Sequence, residues 1–261
     1  MMLAAVLAAT VKIGVFGLFH PVELDVEPVR GGVLVVESTQ QTHILEGAHT
    51  LRLRSAARVT GRDGAESSFI LSVPGKIRRE YRGRLEVRES SGHLIAIVEM
   101  DRETAVASIV AAESPGEPLE ARKAQALVAR SFLVASTGRH DGFDFCDTTH
   151  CQFLREVPAN GSGAQKIQAS TRGLVLEYEG RVIPTLYSAD CGGHTRTLAE
   201  AGWRVDGYPY FGVECPVHGN VSGHRLGMCQ VGSVYMARHG STFREILEHY
   251  FPAATIGSLE Q

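Results

Sequence analysis

An α+β fold is predicted from three features of this 261-residue chain. Apolar residues alternate or run in short strand-like stretches through the first part, the spacing turns helical at Asp101, and an apolar helix follows near the middle. The expected architecture is a mixed helical core with antiparallel β-sheet, built as a single unit with a β-rich N-terminal lobe or insertion. Apolar content of 44% and charged content of 21% are ordinary for a globular chain long enough to bury its own core. A net charge of −3 gives no electrostatic reason to expect a nucleic-acid partner. No stretch approaches the roughly 18 apolar residues of a spanning helix.

Residues 1–10, MMLAAVLAAT, are apolar and rich in small side chains but lack the basic start of a secretory signal. They read either as a truncated signal or as a frayed start before the first strand. Residues 11–100 form the β-rich portion. Strands are expected at Ile13–Phe16, Val22–Val26, Val33–Val36, Leu51–Arg54, Phe69–Val73, Arg84–Arg88 and Leu94–Val98, with turns at Arg30-Gly-Gly and Arg62-Asp-Gly. Residues 101–261 form the rest of what is expected to be one continuous domain. There Asp101 or Thr104 caps a first helix carrying Val106, Ile109 and Val110. A second helix runs from Leu119 to Ser136 after Pro118; it is apolar on more than one side and therefore buried. A short helix at Ile167–Thr171, a hairpin at Leu174–Tyr178 and Val182–Tyr187, and helices at Val231–His239 and Phe243–Tyr250 complete the reading.

The stretch CDTTHCQ concentrates chemistry. With His140 it places two histidines and two cysteines, His140, Cys146, His150 and Cys151, within about twelve residues. Imidazole and thiolate suit zinc, whose filled d-shell accepts four tetrahedral nitrogen and sulfur ligands. The spacing H-x5-C-x3-H-C matches no familiar finger, so a Cys146–Cys151 disulfide and ordinary loop residues remain alternatives. Adjacent His150 and Cys151 face opposite ways in a strand, so chelation requires a turn there. If four protein ligands close the site, the metal is structural.

Several motifs together carry a family resemblance. Glu120-Ala-Arg-Lys-Ala-Gln-Ala-Leu-Val-Ala-Arg-Ser-Phe, followed by CDTTHCQ, is similar to the domain of the sporulation stage II protein D (SpoIID) family, which includes the LytB amidase-enhancer proteins. Tyr81-Arg-Gly-Arg-Leu-Glu-Val, Tyr187-Ser-Ala-Asp-Cys-Gly-Gly-His-Thr, Gly223-His-Arg-Leu-Gly-Met-Cys-Gln-Val-Gly-Ser and Ile246-Leu-Glu-His-Tyr-Phe-Pro extend the similarity in order to the C-terminus. The resemblance implies a peptidoglycan lytic transglycosylase that cleaves peptide-stripped strands between N-acetylmuramic acid and N-acetylglucosamine, leaving 1,6-anhydromuramyl ends. It implies an extracytoplasmic location and peptidoglycan glycan strands as the partner. It also implies zinc at His140, Cys146, His150 and Cys151.

By the same resemblance Glu113, in AAESPGEPLEA, is the catalytic acid. Ser114 stands where the family has Met and the segment to Pro118 is about one residue short, which leaves Glu117 and Glu120 as rivals. Glu120 opens the second helix and suits its positive end. Lys123 and Arg130, two helical turns apart, are candidate substrate ligands, or else structural charges paired within the fold. Tyr187, Ser188, His224 and Gln230 are further candidates for substrate contact. Cys191 with His194 and Cys215 with His218 form two C-x2-H pairs, open to a second zinc, a Cys191–Cys215 disulfide or free thiols; Cys229 reads as an inert core residue. A non-catalytic, glycan-binding enhancer of a cell-wall amidase is the alternative function on the same fold.

Overall fold

The computed structural model describes residues 9–259; the candidate signal at 1–10 therefore lies almost wholly outside the described residues. The chain forms two compact units that interleave in sequence. Residues 9–109 and 137–158 make one, and residues 110–136 and 159–259 make the other. The fold class is α+β, as the alternation and the change of period predict.

The first unit is a ten-stranded sheet. Its strands are β1 (Thr10–Val15), β2 (Leu24–Pro28), β3 (Val33–Ser38), β4 (Thr42–Glu46), β5 (Leu51–Leu53), β6 (Ala57–Thr60), β7 (Ser67–Val73), β8 (Ile77–Ser90) and β9 (His93–Asp101). Helix α1 (Arg102–Glu113) follows, and β10 (Phe145–Cys146) completes the sheet. All pairings are antiparallel except β1 with β10. The fourteen-residue β8 serves three partners: residues 77–83 pair with β7, residues 85–87 with β6, and residues 84–90 with β9. Alternation explains the burial: Tyr81, Leu85 and Val87 of β8 are inside, while the arginines between them face out. Asp101 caps α1, its carboxylate accepting the Glu103 and Thr104 amide protons at 2.9 and 3.1 Å.

The second unit is built around α2 (Leu119–Ala135). It adds α3 (Gly163–Ser170), β11 (Leu174–Tyr178), β12 (Arg181–Val182), β13 (Tyr187–Ser188), β14 (Asp190–Cys191), α4 (Leu198–Ala201), β15 (Val221–Ser222), β16 (Met228–Cys229), α5 (Gln230–Arg238), α6 (Phe243–Tyr250) and β17 (Thr255–Ser258). Ala124, Leu127 and Val128 of α2 pack with Leu176, Ile183, Leu226, Met228, Ile246, Leu247 and Phe251. Two polar residues of this buried helix, and Thr185 beside it, are engaged by backbone groups. Arg130 donates to the Leu174 carbonyl, Ser131 Oγ accepts the Leu176 amide, and Thr185 donates to the Val128 carbonyl. Those bonds fix β11 against α2. The expected hairpin forms only a two-residue β12, because Pro184 follows; β11 finds its longer partner in β17 instead.

Candidate active site and metal-binding loop

In the α2 unit, Glu113 ends α1 beside a groove of about 610 Å³. Ser114, Glu117, Gln125, Gln230, Tyr235 and Arg238 are among its other lining residues. Tyr187 and Gln230 hold the Glu113 carboxyl. The Tyr187 hydroxyl donates to one oxygen at 2.8 Å, and the Gln230 amide reaches the other at 3.3 Å. The same Gln230 nitrogen lies 3.3 Å from Gln125 Oε1, on the buried face of α2. Burial, reinforced by the charge of Glu113, holds the Tyr187 phenol well above its ordinary range, so the phenol stays protonated.

Local structure explains why these residues meet. β13 and β16 pair in parallel, Tyr187 opposite Met228 and Ser188 opposite Cys229. Tyr187 and Gln230 therefore leave adjacent strands at neighbouring positions, Gln230 as the first residue of α5. His224 supports this edge from behind. Its Nδ1 accepts the Leu226 amide at 3.0 Å, it bonds to the Tyr187 backbone, and its ring packs on Trp203 at 5.0 Å. Burial lowers its basicity, which keeps the imidazole neutral.

The other sequence candidates divide. Glu117 lines the groove and lies 3.9 Å from Arg238. Glu120 bonds Lys123 at 2.7 Å and accepts the Phe243 amide at 2.8 Å, tying α2 to the start of α6. Lys123 also sits 5.7 Å from the centre of the Phe243 ring. Arg130 is fully buried and bonded to β11, and Ser188 is buried, its hydroxyl without a hydrogen-bond partner among the described residues. Neither Lys123, Arg130, Tyr187, Ser188 nor His224 lines the groove; Glu113 and Gln230 do. For Lys123 and Arg130 the placement matches the structural alternative, charges engaged within the fold.

Sequence reasoning passed over two contributors. Gln125 lies inside the quoted helix motif, yet a glutamine on an apolar helix carries no obvious signal. The Val231, Val234, Tyr235, Arg238 face of α5 has the i, i+3, i+4, i+7 spacing of a core stripe. Here it lines the groove, with Val231 and Tyr235 exposed and the Tyr235 ring stacked on His239 at 3.9 Å.

In the sheet unit, His140, Cys146, His150 and Cys151 converge, each offering a ligand atom within 4.8 Å of the others. β10 fixes Cys146 beside Gly14 of β1. Gly14 is required there: a Cβ would strike the ring of Phe143, and that ring stacks on His140 at 4.6 Å. The turn that chelation requires is present. The Cys151 amide donates to the Thr148 carbonyl at 3.1 Å, and the Thr148 hydroxyl accepts the His150 amide at 3.3 Å. His140 Nε2 then lies 3.3 Å from Cys151 Sγ, and His150 Nδ1 lies 3.7 and 3.5 Å from the two sulfurs. Contact with the Cys151 thiol pulls Cys146 down to about 3, and the same contact pushes Cys151 up, so one sulfur of the pair is anionic at neutral pH. Two thiols and two imidazoles around one point form a donor set able to hold a metal ion, and its chemistry fits zinc. Asp147, buried next to Cys146, braces the loop by accepting from Arg79 at 3.2 Å and from the Phe16 amide at 3.3 Å.

Comparison with known proteins agrees with the motif reading. Residues 90–178 match the family described as Stage II sporulation protein, SpoIID. An uncharacterized protein of Brachyspira hyodysenteriae is 34% identical over 146 residues, a stretch that covers 54% of this chain and 37% of that protein. Over residues 90–178 the chain is similar to the SpoIID family, and it spans little more than a third of the length of the relative it matches. Among the described residues, no helix is long and apolar enough to cross a membrane.

Proposed function

We propose that the protein is a peptidoglycan lytic transglycosylase with Glu113 as its single acid–base residue, working outside the cytoplasm on peptide-stripped glycan strands. The observation that carries this reading is the carboxyl of Glu113 at a groove, held by Tyr187 and Gln230. The family match, to a cell-wall-acting family, supports the substrate class.

A lytic transglycosylase needs no second carboxylate, because no water enters the reaction. Protonated Glu113 gives its proton to the glycosidic oxygen between the two sugars, and the bond from that oxygen to the muramyl C1 breaks. The 6-hydroxyl of the same muramyl ring attacks C1, forming the 1,6-anhydro bond. Its proton goes to the Glu113 carboxylate, which restores the acid. Attack from within the ring supplies the proximity that a bound water would otherwise need.

A residue that alternates between acid and base needs neighbours that tolerate both states. An amide donates through its nitrogen to a carboxylate and, once rotated, accepts through its oxygen from a carboxylic acid. Gln230 can do this because Gln125, its partner, is also an amide and can rotate with it. In the present orientation the buried Gln125 nitrogen has no hydrogen-bond partner among the described residues, and rotation of both amides would give it one. Tyr187 donates to the carboxylate, and its oxygen can accept as well.

In this reading His140, Cys146, His150 and Cys151 hold a structural zinc. When bound, zinc supplies cross-linking of the loop, with four protein ligands and no position for substrate. The α5 face with Tyr235 supplies an aromatic surface for glycan packing. That surface also supports the second reading, a glycan-binding enhancer of a cell-wall amidase, which would need the groove but not the acid.

Purified peptide-free strands digested with wild type and with Glu113→Gln separate the two. The expected result is anhydromuramyl ends by mass spectrometry from wild type, with the rate reduced about 10²–10⁴-fold in the variant. Intact strands after incubation with a folded, zinc-loaded wild type would reject catalysis, and retention of those strands by the same protein would favour the enhancer.

A further inference from the structure

We propose that Cys191, Cys215 and Cys229 form a second metal site, separate from the loop, that takes a thiophilic d10 cation, zinc(II) or copper(I). The three sulfurs lie within 4.8 Å of one another and are buried. Three sulfurs around one zinc at the usual bond length of about 2.3 Å stand roughly 3.8 Å apart, within that limit. The donor set is thiol only. Neither His194 nor His218 joins it, so the C-x2-H pairs legible in the sequence are not the chelating units. Sulfur-only sites select soft d10 ions over the oxygen-seeking ones.

Three separate segments meet to make the cluster. Cys191 ends β14, Cys229 ends β16, and Cys215 is tied to the Cys191 turn by its amide, which donates to the Gly193 carbonyl at 2.8 Å. Hydrogen-bonding groups surround the sulfurs. The amides of Cys191 and Gly232 donate to Cys229 Sγ at 3.3 and 3.4 Å, and the Tyr250 hydroxyl lies 3.3 Å from Cys215 Sγ. Such donors around sulfur are what tune and orient thiolate ligands in metal sites. The space beside the cluster is kept clear as well, since a Cβ on Gly232 would collide with both Cys215 Sγ and the Tyr250 oxygen.

The position has a consequence for the groove. Cys229 caps α5 and immediately precedes Gln230, and Cys191 lies one strand beyond Tyr187 and Ser188. An ion joining them ties the end of β16, from which Gln230 reaches Glu113, to β14, the strand that follows Tyr187 and Ser188. Metal binding itself does not depend on the transglycosylase reading; only this consequence does.

The test counts metal in the reduced full chain. Wild type, Cys146→Ser and Cys229→Ser are loaded anaerobically with zinc(II) in one arm and copper(I) in another, desalted, and measured by plasma mass spectrometry. Two equivalents in wild type, falling to one in Cys229→Ser and to one in Cys146→Ser, are expected in at least one arm, and the arm identifies the ion. Serine at 229 can still accept the Gly232 amide, so the helix cap survives. Should that variant misfold, Cys191→Ser replaces it, and cobalt(II) titration of wild type reads the thiolates directly. Charge-transfer absorption for five thiolates supports the site; absorption for the two loop thiolates alone overturns it. A single equivalent in wild type in both arms, or a disulfide joining two of the three cysteines in protein purified without reductant, also overturns it.

Discussion

The loop cluster and the buried cysteine trio use similar donors in opposite ways. The loop gathers four candidate ligands from about twelve consecutive residues and keeps them partly solvated, with His150 exposed. The trio gathers three candidate ligands from three segments between Cys191 and Cys229 and buries them all. A local cluster needs only one turn, so its geometry follows from Thr148 and the β10 pairing. A dispersed cluster exists only after β14, β16 and α5 have packed, and its geometry is a property of the core. Metal at the first site should therefore hold a segment, and metal at the second should hold a core.

The largest expected effect is at the loop. A strong chelator, or His150→Ala, should release residues 139–153 to proteolysis, because structural zinc is worth on the order of 10 kcal/mol to a segment with little core of its own. Limited digestion read by mass spectrometry checks this. Cleavage confined to the loop sharpens the contrast, whereas equal resistance with and without chelator would show that Asp147 and β10 hold the loop unaided.

A smaller effect is expected at the trio. Gly232→Ala places a methyl group against Cys215 Sγ and the Tyr250 oxygen, inside a packed core that must shift to admit it. A loss of about 1–3 kcal/mol is expected from urea unfolding of the intact chain, as for other overpacked cores. An unchanged midpoint would mean that the cluster is looser than its distances imply.

The same division between local and dispersed information decided what the sequence revealed. The buried α2, the capping of α1 by Asp101 and the clustering of His140, Cys146, His150 and Cys151 were legible because each is written in neighbouring residues. Strands β4 and β6, and the first half of β8, were not. Thr42-His-Ile-Leu-Glu has only two apolar residues, Ala57-Arg-Val-Thr is short, and Ile77-Arg-Arg-Glu is dominated by charge, so their pairing is set by partner strands rather than by propensity. Glu113 was identified through a motif, but its setting was not: Gln125 reaches Gln230 across 105 positions of sequence. The place of the α5 face was not legible for a related reason. Periodicity shows that a face is apolar, and only packing shows whether that face meets a core or a groove.

The smallest predicted effect tests whether a surface pair adds anything to the dispersed core. Glu120 bonds Lys123 and accepts the Phe243 amide, which caps the first turn of α6. Burial pushes its pKa up, but the Lys123 hydrogen bond and the Phe243 amide outweigh burial and hold it below its ordinary 4.5. A carboxyl lowered in the folded state binds fewer protons there than when unfolded. Its contribution is complete above about pH 4.5 and disappears as the pH falls through the lower folded value. Both side chains are about a quarter or less exposed, yet the pair spans one helical turn at the surface, so about 0.5 kcal/mol is expected from Glu120→Gln at neutral pH. The difference between variant and wild type should vanish in acid. A difference that persists below the folded titration would assign the effect to packing of α2 against α6 rather than to charge.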